Sequence, residues 1–417
     1  MSASAAPKHN LTAIKWLTFL MFMMFAMTTD SVGVIIPEVI REFHLSLKAA
    51  GAFHYAPMIA IAVAGILLGF LADRLGRKKT IILGLVLFAL NSYLFAVGNS
   101  FLFFVALLAV SGVAIGIFKT GALALVGDIS VSTSEHTATM NTVEGFFAVG
   151  AIIGPAIVPL LLASGTSWKW LYVIAGTICV LLIITALLVK YPATVKAIDE
   201  PINLKRTMRM MKNPYALGFS LGIFLYVAAE CAVYVWMPTL FEGYSGSFVI
   251  IATYAISIFF VLRALGRFLG AWVLAHFSWT SVMALFSLAI LICFAGSMAG
   301  GLSVAIWLLP LSGLFMSMIY PTLNSKGISC FAKAEHGAVA GVILFFTCAA
   351  AALGPLAMGA VSDAFGHPKY GFILATAFAA LMFAGLLLNW IYNPAGERLA
   401  LLDSSEYRRQ SAVGSRQ

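Results

Sequence analysis

The sequence predicts an all-α polytopic membrane protein, with twelve transmembrane helices arranged as two pseudo-symmetric halves of six helices each. Three observations predict this fold. Hydrophobic residues make up 62% of the 417 residues and charged residues only 10%, which is too few charges to build a water-soluble surface. Twelve mostly apolar stretches are long enough to cross about 30 Å of hydrocarbon. Several sequence features also recur after about 200 residues.

The twelve stretches are numbered as spans one to twelve in chain order. We expect each to be a helix, because lipid offers no hydrogen-bond partners to an open backbone. The predicted ranges are 16–36, 50–71, 80–97, 103–126, 140–163, 170–190, 214–241, 248–272, 279–298, 302–323, 337–361 and 371–392.

The distribution of Lys and Arg predicts the orientation of the spans. If the N-terminus is cytoplasmic, eighteen of the 25 basic residues lie in cytoplasmic segments and four lie on the opposite side. Cytoplasmic loops of membrane proteins carry such an excess. We therefore expect both termini in the cytoplasm. Topology explains the net charge of +9, so no nucleic-acid partner is needed to account for it.

A basic segment over 191–213 divides the chain into a six-helix bundle over 1–190 and a second bundle with a cytoplasmic tail over 214–417. The halves share features at corresponding positions, as expected of a duplicated unit, and secondary transporters commonly bind their substrates between such repeats. The corresponding positions are Asp30 and Glu230, Gly65 and Gly266, Gly69 and Gly270, and Gly154-Pro155 and Gly354-Pro355.

The loop after span two carries the most specific motif of the chain. It reads GFLADRLGRKK over 69–79 and resembles the motif G-x-L-a-D-R-x-G-R-[KR] of the major facilitator superfamily. In this motif Gly69 permits close helix contact, Gly76 permits a tight turn, and Asp73 can meet basic residues or a helix N-terminus. The resemblance implies the major facilitator fold and a cytoplasmic gate. The gate residues would be Gly69, Asp73, Arg74, Gly76, Arg77 and Lys78.

Shorter segments resemble the fucose/glucose/galactose:proton symporter branch of that superfamily. They are Lys119-Thr120, the run NTVEGFF over 141–147, YVAAE over 226–230 and YPTLNS over 320–325. The branch implies that Asp30 is a proton site, since its acid in span one aligns there. Two residues depart from the branch: Lys119 stands where the branch has Glu, and Glu144 stands where it has Gln.

Charged residues in a span are costly and usually face a cavity or a partner. Removal of water favours the neutral form of a carboxyl group, which can then hold or release a proton near neutral pH. We expect Asp30, Glu230 and Glu144 to take part in proton coupling. Lys119 and Glu144 should lie near the cytoplasmic ends of spans four and five, where they form a salt bridge or bind substrate.

Other polar and aromatic residues complete the predicted site. His54 is either a proton relay or an interfacial histidine, and Arg263 either pairs at a gate or reaches toward the membrane surface. Aromatic rings can stack on the C–H face of a sugar, and an amide in a span needs hydrogen-bond partners. The expected substrate-binding residues are Lys119, Asn324, Tyr320, Phe147, Tyr234 and Trp236.

The sequence predicts no enzyme. It contains no Walker loop, no G-x-G-x-x-G, no H-E-x-x-H and no G-x-S-x-G, so no catalytic residues, metal or cofactor are expected and an ion gradient would supply the energy. The leading hypothesis is a monomeric proton-coupled importer of a sugar or similar small solute in a bacterial inner membrane. The alternatives are a proton-driven exporter of drugs or amphiphiles, an organic-anion carrier, and a non-transporting receptor or scaffold.

Overall fold

The computed structural model describes residues 8–45, 49, 52–192, 208–241 and 244–407. Within these residues it contains twelve helical spans that match the twelve predicted ones, and span numbers are kept. Four spans are interrupted. In chain order the spans are Lys8–Thr29 with Val32–Phe43, Ala52–Leu68, Arg77–Leu94, Phe101–Ile129, Thr133–Ala163, Trp170–Leu188, Pro214–Cys231 with Met237–Phe241, Val249–Thr253 with Ala255–His276, Trp279–Gly300, Leu302–Met316 with Ile319–Ser329, His336–Phe365 and Lys369–Tyr392.

Ten of the described spans are long and apolar enough to cross a membrane by themselves. The other two are span two, of which 17 residues are described, and span three, which begins with three basic residues. Short helical segments lie between or after the spans, namely Leu71–Arg74, the π-helical turn Ala232–Trp236, Lys333–Glu335, Gly396–Leu402 and Asp403–Tyr407. Most of the predicted linker, 193–207, lies outside the described residues.

Polar residues mark where several spans begin. Ser100, Ser132 and Ser278 stand directly before spans four, five and nine, and each side chain accepts a hydrogen bond from a backbone N–H of the first turn. Asn213 does the same before span seven, where Pro214 follows. Such N-caps satisfy backbone donors that have no partner within the helix. These four spans therefore begin directly after a polar residue that caps the helix.

The packing of the spans repeats between the two halves. In the first half span one packs on spans five and six, span four on spans two and three, and span three on span six. In the second half span seven packs on spans eleven and twelve, span ten on spans eight and nine, and span nine on span twelve. Adding six to each span number of the first set gives the second set.

Contacts between the halves follow the same rule. Span eleven packs on spans two and four, and span five packs on spans eight and ten. Glycines allow the close approach: a Cβ atom on Gly69 would lie 3.2 Å from the Cα atom of Gly341 in span eleven. At the corresponding place in the second half, a Cβ atom on Gly270 would lie 2.6 Å from Oδ1 of Asn141 in span five. We call the side where the described chain begins and ends the inner side.

Candidate functional site

A cavity of about 780 Å³ lies between the two halves. Residues of spans one, two, four and five line it from the first half, and residues of spans seven, eight, ten and eleven line it from the second. Its innermost lining residues are near the middle of the spans, and it extends from there toward the outer side. The volume lies within the range of small-molecule sites, about 300–1,000 Å³.

Asp30 lies where the helix of span one is interrupted. The first helix ends at Thr29 and the next begins at Val32. The Thr29 hydroxyl donates to Asp30 Oδ2 at 2.8 Å, and the Ser31 hydroxyl donates to the carbonyl of Met27 at 2.6 Å. Such bonds from hydroxyl groups to the preceding turn bend helices. The half-buried Asp30 lines the cavity and forms no salt bridge with any described residue.

Glu230 lies in span seven one residue before the helix changes to the π-helical turn Ala232–Trp236. Its carboxylate lies 2.9 Å from a guanidinium nitrogen of Arg263 in span eight and accepts a hydrogen bond from the Tyr226 hydroxyl. Arg263, for which the sequence left two interpretations open, is therefore an ion-pair partner in the cavity wall. π-Helical turns inside α-helices occur frequently at functional sites.

Glu144 pairs with Arg267 rather than with Lys119. The Glu144 carboxylate lies 3.4 Å from a guanidinium nitrogen of Arg267, and a second guanidinium nitrogen donates to the backbone carbonyl of Glu144 at 3.0 Å. This buried pair joins span five of the first half to span eight of the second. The salt bridge between Lys119 and Glu144, one of the two expectations for these residues, is absent among the described residues.

The predicted depth of Lys119 and Glu144 is also wrong. Lys119 lies ten residues from the inner end of span four and Glu144 eleven residues from that of span five. At about 1.5 Å per residue, both lie roughly 15 Å or more from those ends, near the middle of the membrane. The helices extend further inward than the apolar stretches because polar residues such as Asp128 and His136 are buried there.

Lys119 has aromatic neighbours. Its amine lies 4.8 Å from the ring centroid of Phe147 and 5.9 Å from that of Phe22. Lys119 is half-buried, lines the cavity and forms no salt bridge among the described residues. Asp30 lies on the same cavity and within electrostatic reach of Lys119.

Three of the predicted aromatic residues, Phe147, Tyr234 and Tyr320, line the cavity, whereas Trp236 and Asn324 do not. The indole N–H of Trp236 instead donates to the backbone carbonyl of Pro355 at 3.2 Å. Asn324 is fully buried beside Tyr320, and its amide oxygen has no hydrogen-bond partner. In this conformation the structure therefore excludes both residues from contact with a solute in the cavity.

His54 lines the cavity near its outer end. The Nε2 atom of its ring is buried and has no hydrogen-bond partner among the described residues. The residue therefore belongs to the cavity wall rather than only to the membrane surface.

The inner side is closed by a second polar cluster, which we call the inner cluster: Asp73, Arg77, Asp128, Lys333 and His336. The Asp73 carboxylate pairs with Arg77 and accepts hydrogen bonds from the backbone N–H groups of Gly337 and Ala338, each at 3.1 Å. These two groups belong to the first turn of span eleven, so Asp73 meets both a basic residue and a helix N-terminus, as expected.

Arg77 connects the first half to the second within the inner cluster. Its Nε lies 2.8 Å from the Asp128 carboxylate in span four, and it donates to the backbone carbonyl of Lys333 at 2.7 Å. The Lys333 amine returns hydrogen bonds to the backbone carbonyls of Asp128 and Ser130, at 3.2 and 3.3 Å. Asp128, Lys333 and His336 were not predicted as functional residues, because nothing local to them in the sequence resembles a motif.

The remaining gate-motif residues have different environments. Gly76 has a φ of 92°, which glycine adopts without strain. The Lys78 amine donates to the carbonyls of Leu187 and Val189 at the end of span six, within the same half. Arg74 is exposed. Lys78 thus stabilises a helix C-terminus rather than a contact between the halves.

The fold and its central cavity define a polytopic membrane transporter built from two repeated bundles. Consistent with this class, a family model described as Major Facilitator Superfamily matches residues 18–355. The chain belongs to that superfamily, whose members are transporters and not enzymes.

Curated relatives support the branch expected from the sequence. The chain is 26% identical to the L-fucose-proton symporter of Escherichia coli (strain K12), over 87% of this chain and 90% of the relative. It is 22% identical to a glucose/galactose transporter of Brucella abortus, over 88% and 92% of the two chains. A crystal structure of FucP in the outward conformation matches with a TM-score of 0.76 at 21% identity, covering 91% of this chain and 99% of that one.

Proposed function

We propose that this protein is a proton-coupled secondary active transporter that imports a small polar solute of the sugar type by alternating access. The observation that carries the proposal is Asp30, an acid that forms no salt bridge with any described residue. It lies at a helix interruption, on the wall of a cavity between two repeated halves. A carboxyl group in that position can exchange protons with the cavity. The relatives named as an L-fucose-proton symporter and a glucose/galactose transporter support this solute class.

Alternating access requires that the halves move against each other, and the packing supports bundles over 1–190 and 214–417 as the moving bodies. Their internal contacts repeat, and the cavity separates them toward the outer side. The inner cluster then acts as the gate. Asp73, in the short helix after span two, is held to span eleven while the cavity is open outward, and Arg77 at the start of span three is held to Lys333 just before span eleven. These contacts break when the inner side opens.

The protein is a multi-pass membrane protein, and the bacterial relatives favour the inner membrane. The excess of basic residues on the inner side supports a cytoplasmic location for that side, and we propose that both termini are cytoplasmic. Lys196, Lys205, Arg206, Arg408, Arg409 and Arg416 contribute to that excess and lie outside the described residues, as does Lys48, which counts for the opposite side. We propose a monomer, since the cavity lies entirely within one chain.

Uptake into proteoliposomes tests this function. Purified protein is reconstituted with an acidic exterior, and solute uptake and internal pH are recorded with neutral sugars and their acids as probes. Proton entry that accompanies solute entry supports symport, whereas proton movement opposite to the solute indicates an exporter. Binding without flux indicates a receptor. An Asp30→Asn variant serves as the coupling control, and the absence of proton-linked flux with every probe contradicts the proposal.

Span five contains the run Gly150-x-x-x-Gly154-Pro155, which is similar to the motif of proton-driven exporters and favours the exporter alternative. In the structure, Cβ atoms on Gly150 and Gly154 would lie 2.0 and 2.1 Å from the carbonyl oxygens of Met23 and Met27 in span one. The need for close packing of spans one and five therefore explains both glycines. The organic-anion alternative has a specific observation in its favour, the Lys119 amine in the cavity without a salt bridge among the described residues.

A further inference from the structure

The balance of charge in the cavity contains information about the solute. Of the described residues that line the cavity, six carry a formal charge. They are Asp30, Glu144, Glu230, Lys119, Arg263 and Arg267. His54 counts as neutral, because a charged ring would leave the N–H at its partnerless Nε2 buried without an acceptor. Three negative and three positive charges cancel when the cavity is empty and Asp30 is ionised.

Four of these charges form two salt bridges. Glu144 pairs with Arg267, and Glu230 pairs with Arg263. Both acids are buried, and Glu230 has a further donor in the Tyr226 hydroxyl. Removing one partner from a buried pair leaves an uncompensated charge, which is strongly unfavourable. The two pairs therefore remain neutral units while the cavity fills.

Asp30 and Lys119 carry the two remaining charges, and neither forms a salt bridge among the described residues. Both are half-buried and reach the cavity, Asp30 with a single hydroxyl donor and Lys119 with two aromatic rings. Asp30 interacts with Lys119, as it does with Arg263 and Arg267, only through the field across the cavity, and those two arginines are already paired with Glu230 and Glu144. When Asp30 takes up the coupling proton, this interaction ends and one positive charge remains, on Lys119.

We infer that the solute is a monoanion bound by Lys119, a small polyhydroxy carboxylate of the sugar-acid class, and that it crosses with one proton. The inference deepens the proposed proton-coupled function and rests on it. A bound monoanion and a protonated Asp30 return the cavity to zero net charge before it closes. A neutral sugar would leave the Lys119 charge uncompensated in a low-dielectric site. The aromatic rings of Phe147 and Tyr320 would contact the apolar face of the solute.

The inference predicts an electroneutral cycle, because one proton and one monoanion carry no net charge. Proton symport of a neutral sugar is instead electrogenic and responds to membrane potential. The two cases are distinguished in proteoliposomes with matched probes, D-glucose with D-glucuronate and D-galactose with D-galacturonate. A pH gradient and a valinomycin–potassium potential are imposed separately.

We expect the pH gradient to drive accumulation of an acid and not of its parent sugar, and an inside-negative potential to leave that uptake unchanged. Lys119→Gln should reduce uptake of the acid at least tenfold, whereas Lys119→Arg retains most of it. Lys169→Gln is the matched control, since Lys169 pairs with Glu42 and does not line the cavity. Thermal unfolding in detergent verifies that each variant is folded.

Two results would overturn the inference. Proton-coupled uptake of a neutral sugar that accelerates with an inside-negative potential contradicts it but leaves the proposed function intact. If the acids are not taken up in response to the pH gradient, the inference is wrong whichever sugar is transported. The proposed function fails as well only when neither sugars nor acids move with protons.

Discussion

His136 and His336 lie face to face where the inner ends of spans five and eleven meet, with ring centroids 6.3 Å apart and ring planes 7° apart. The two positions are 200 residues apart in the sequence and equivalent in the two halves. Both rings are fully buried, and each has one nitrogen without a hydrogen-bond partner. The pair therefore belongs to the contact between the halves on the inner side.

The first prediction concerns the space around His336. A Cβ atom on Gly127 would lie 2.2 Å from the His336 Nδ1 atom, so Gly127→Ala should destabilise the closed inner side and populate the inward-open state. Double electron–electron resonance measures this with spin labels at Leu75 and Phe277, in a background without the native cysteines. We expect a larger fraction of long distances than in the parent protein.

Gly218→Ala is the matched control for this measurement. It places the same methyl group on span seven, where no atom lies within 4 Å of the added Cβ. An unchanged distance distribution in Gly127→Ala would mean that the closed inner side does not depend on this packing.

The second prediction concerns pH and Asp73. Burial raises the pKa of Asp73 to about 6, because the loss of water outweighs the attraction of Arg77 and the two backbone N–H donors. In the open state the carboxyl group is hydrated and its pKa returns toward about 3.9. The closed state therefore binds more protons than the open state between about pH 4 and pH 6, so acidification stabilises the closed state.

The shift should be measurable with the same spin labels. From pH 7 to pH 5 the closed-to-open ratio should rise by about tenfold, with little further change above pH 7. Asp73→Asn removes the titrating group and should flatten the response over this range. A ratio that falls on acidification, or a response that survives in Asp73→Asn, would show that another group controls the inner side.

The third prediction concerns the pair that crosses between the halves. Arg267→Met alone or Glu144→Gln alone leaves a buried charge without a partner, which costs about 3–5 kcal/mol. The double variant leaves none, so it should be more stable than the sum of the single effects indicates, with a coupling free energy of about 0.5–3 kcal/mol. Thermal or denaturant unfolding in detergent measures the cycle.

A second cycle with Lys119→Met and Glu144→Gln is the control. Because Lys119 forms no salt bridge with Glu144, this cycle should show a smaller coupling free energy. Equal coupling in both cycles would argue that Glu144 changes partner in solution.

The positions of the spans could be predicted from the sequence because they depend on local signals. The length of an apolar stretch and the Lys and Arg residues beside it can be read from each segment separately. The twelve predicted spans accordingly match the twelve described ones. Contacts between spans depend on how each helix is rotated and tilted. Lys119, Glu144 and Arg267 all lie at the same depth, and only the packing of span five on span eight decides which pair forms.

Span seven contains a π-helical turn that the sequence does not predict. Tyr234 and Trp236 were both expected to contact solute, but a π-helical turn over Ala232–Trp236 changes the direction of the side chains that follow. Tyr234 still lines the cavity, whereas Trp236 packs against span eleven. Nothing in the apolar pattern signals this turn. The His136 and His336 pair was a signal that could have been found, since identical residues recur at the repeat spacing.

The last prediction concerns coupling itself. Asp30→Asn keeps the shape and the hydrogen-bonding capacity of the side chain, but it fixes the site in a form that resembles protonated Asp30. If Asp30 carries the coupling proton, the loaded carrier still exchanges internal for external solute, because exchange requires no proton release. Net accumulation must fail, since the empty carrier cannot return in its deprotonated form. An Asp with a purely structural role, holding Thr29 at the helix interruption, would on loss impair both reactions.

Counterflow and pH-driven uptake of the same radiolabelled solute, in matched vesicles, separate these cases. We expect exchange within a few-fold of the parent protein and accumulation reduced to the level of protein-free vesicles. Thr29→Val is the structural control, because it removes the hydroxyl donor to Asp30 but leaves the acid in place, so accumulation should persist. Normal pH-driven accumulation by Asp30→Asn would transfer the coupling role to the next acid on the cavity wall, Glu230, whose pairing with Arg263 would then have to break in each cycle.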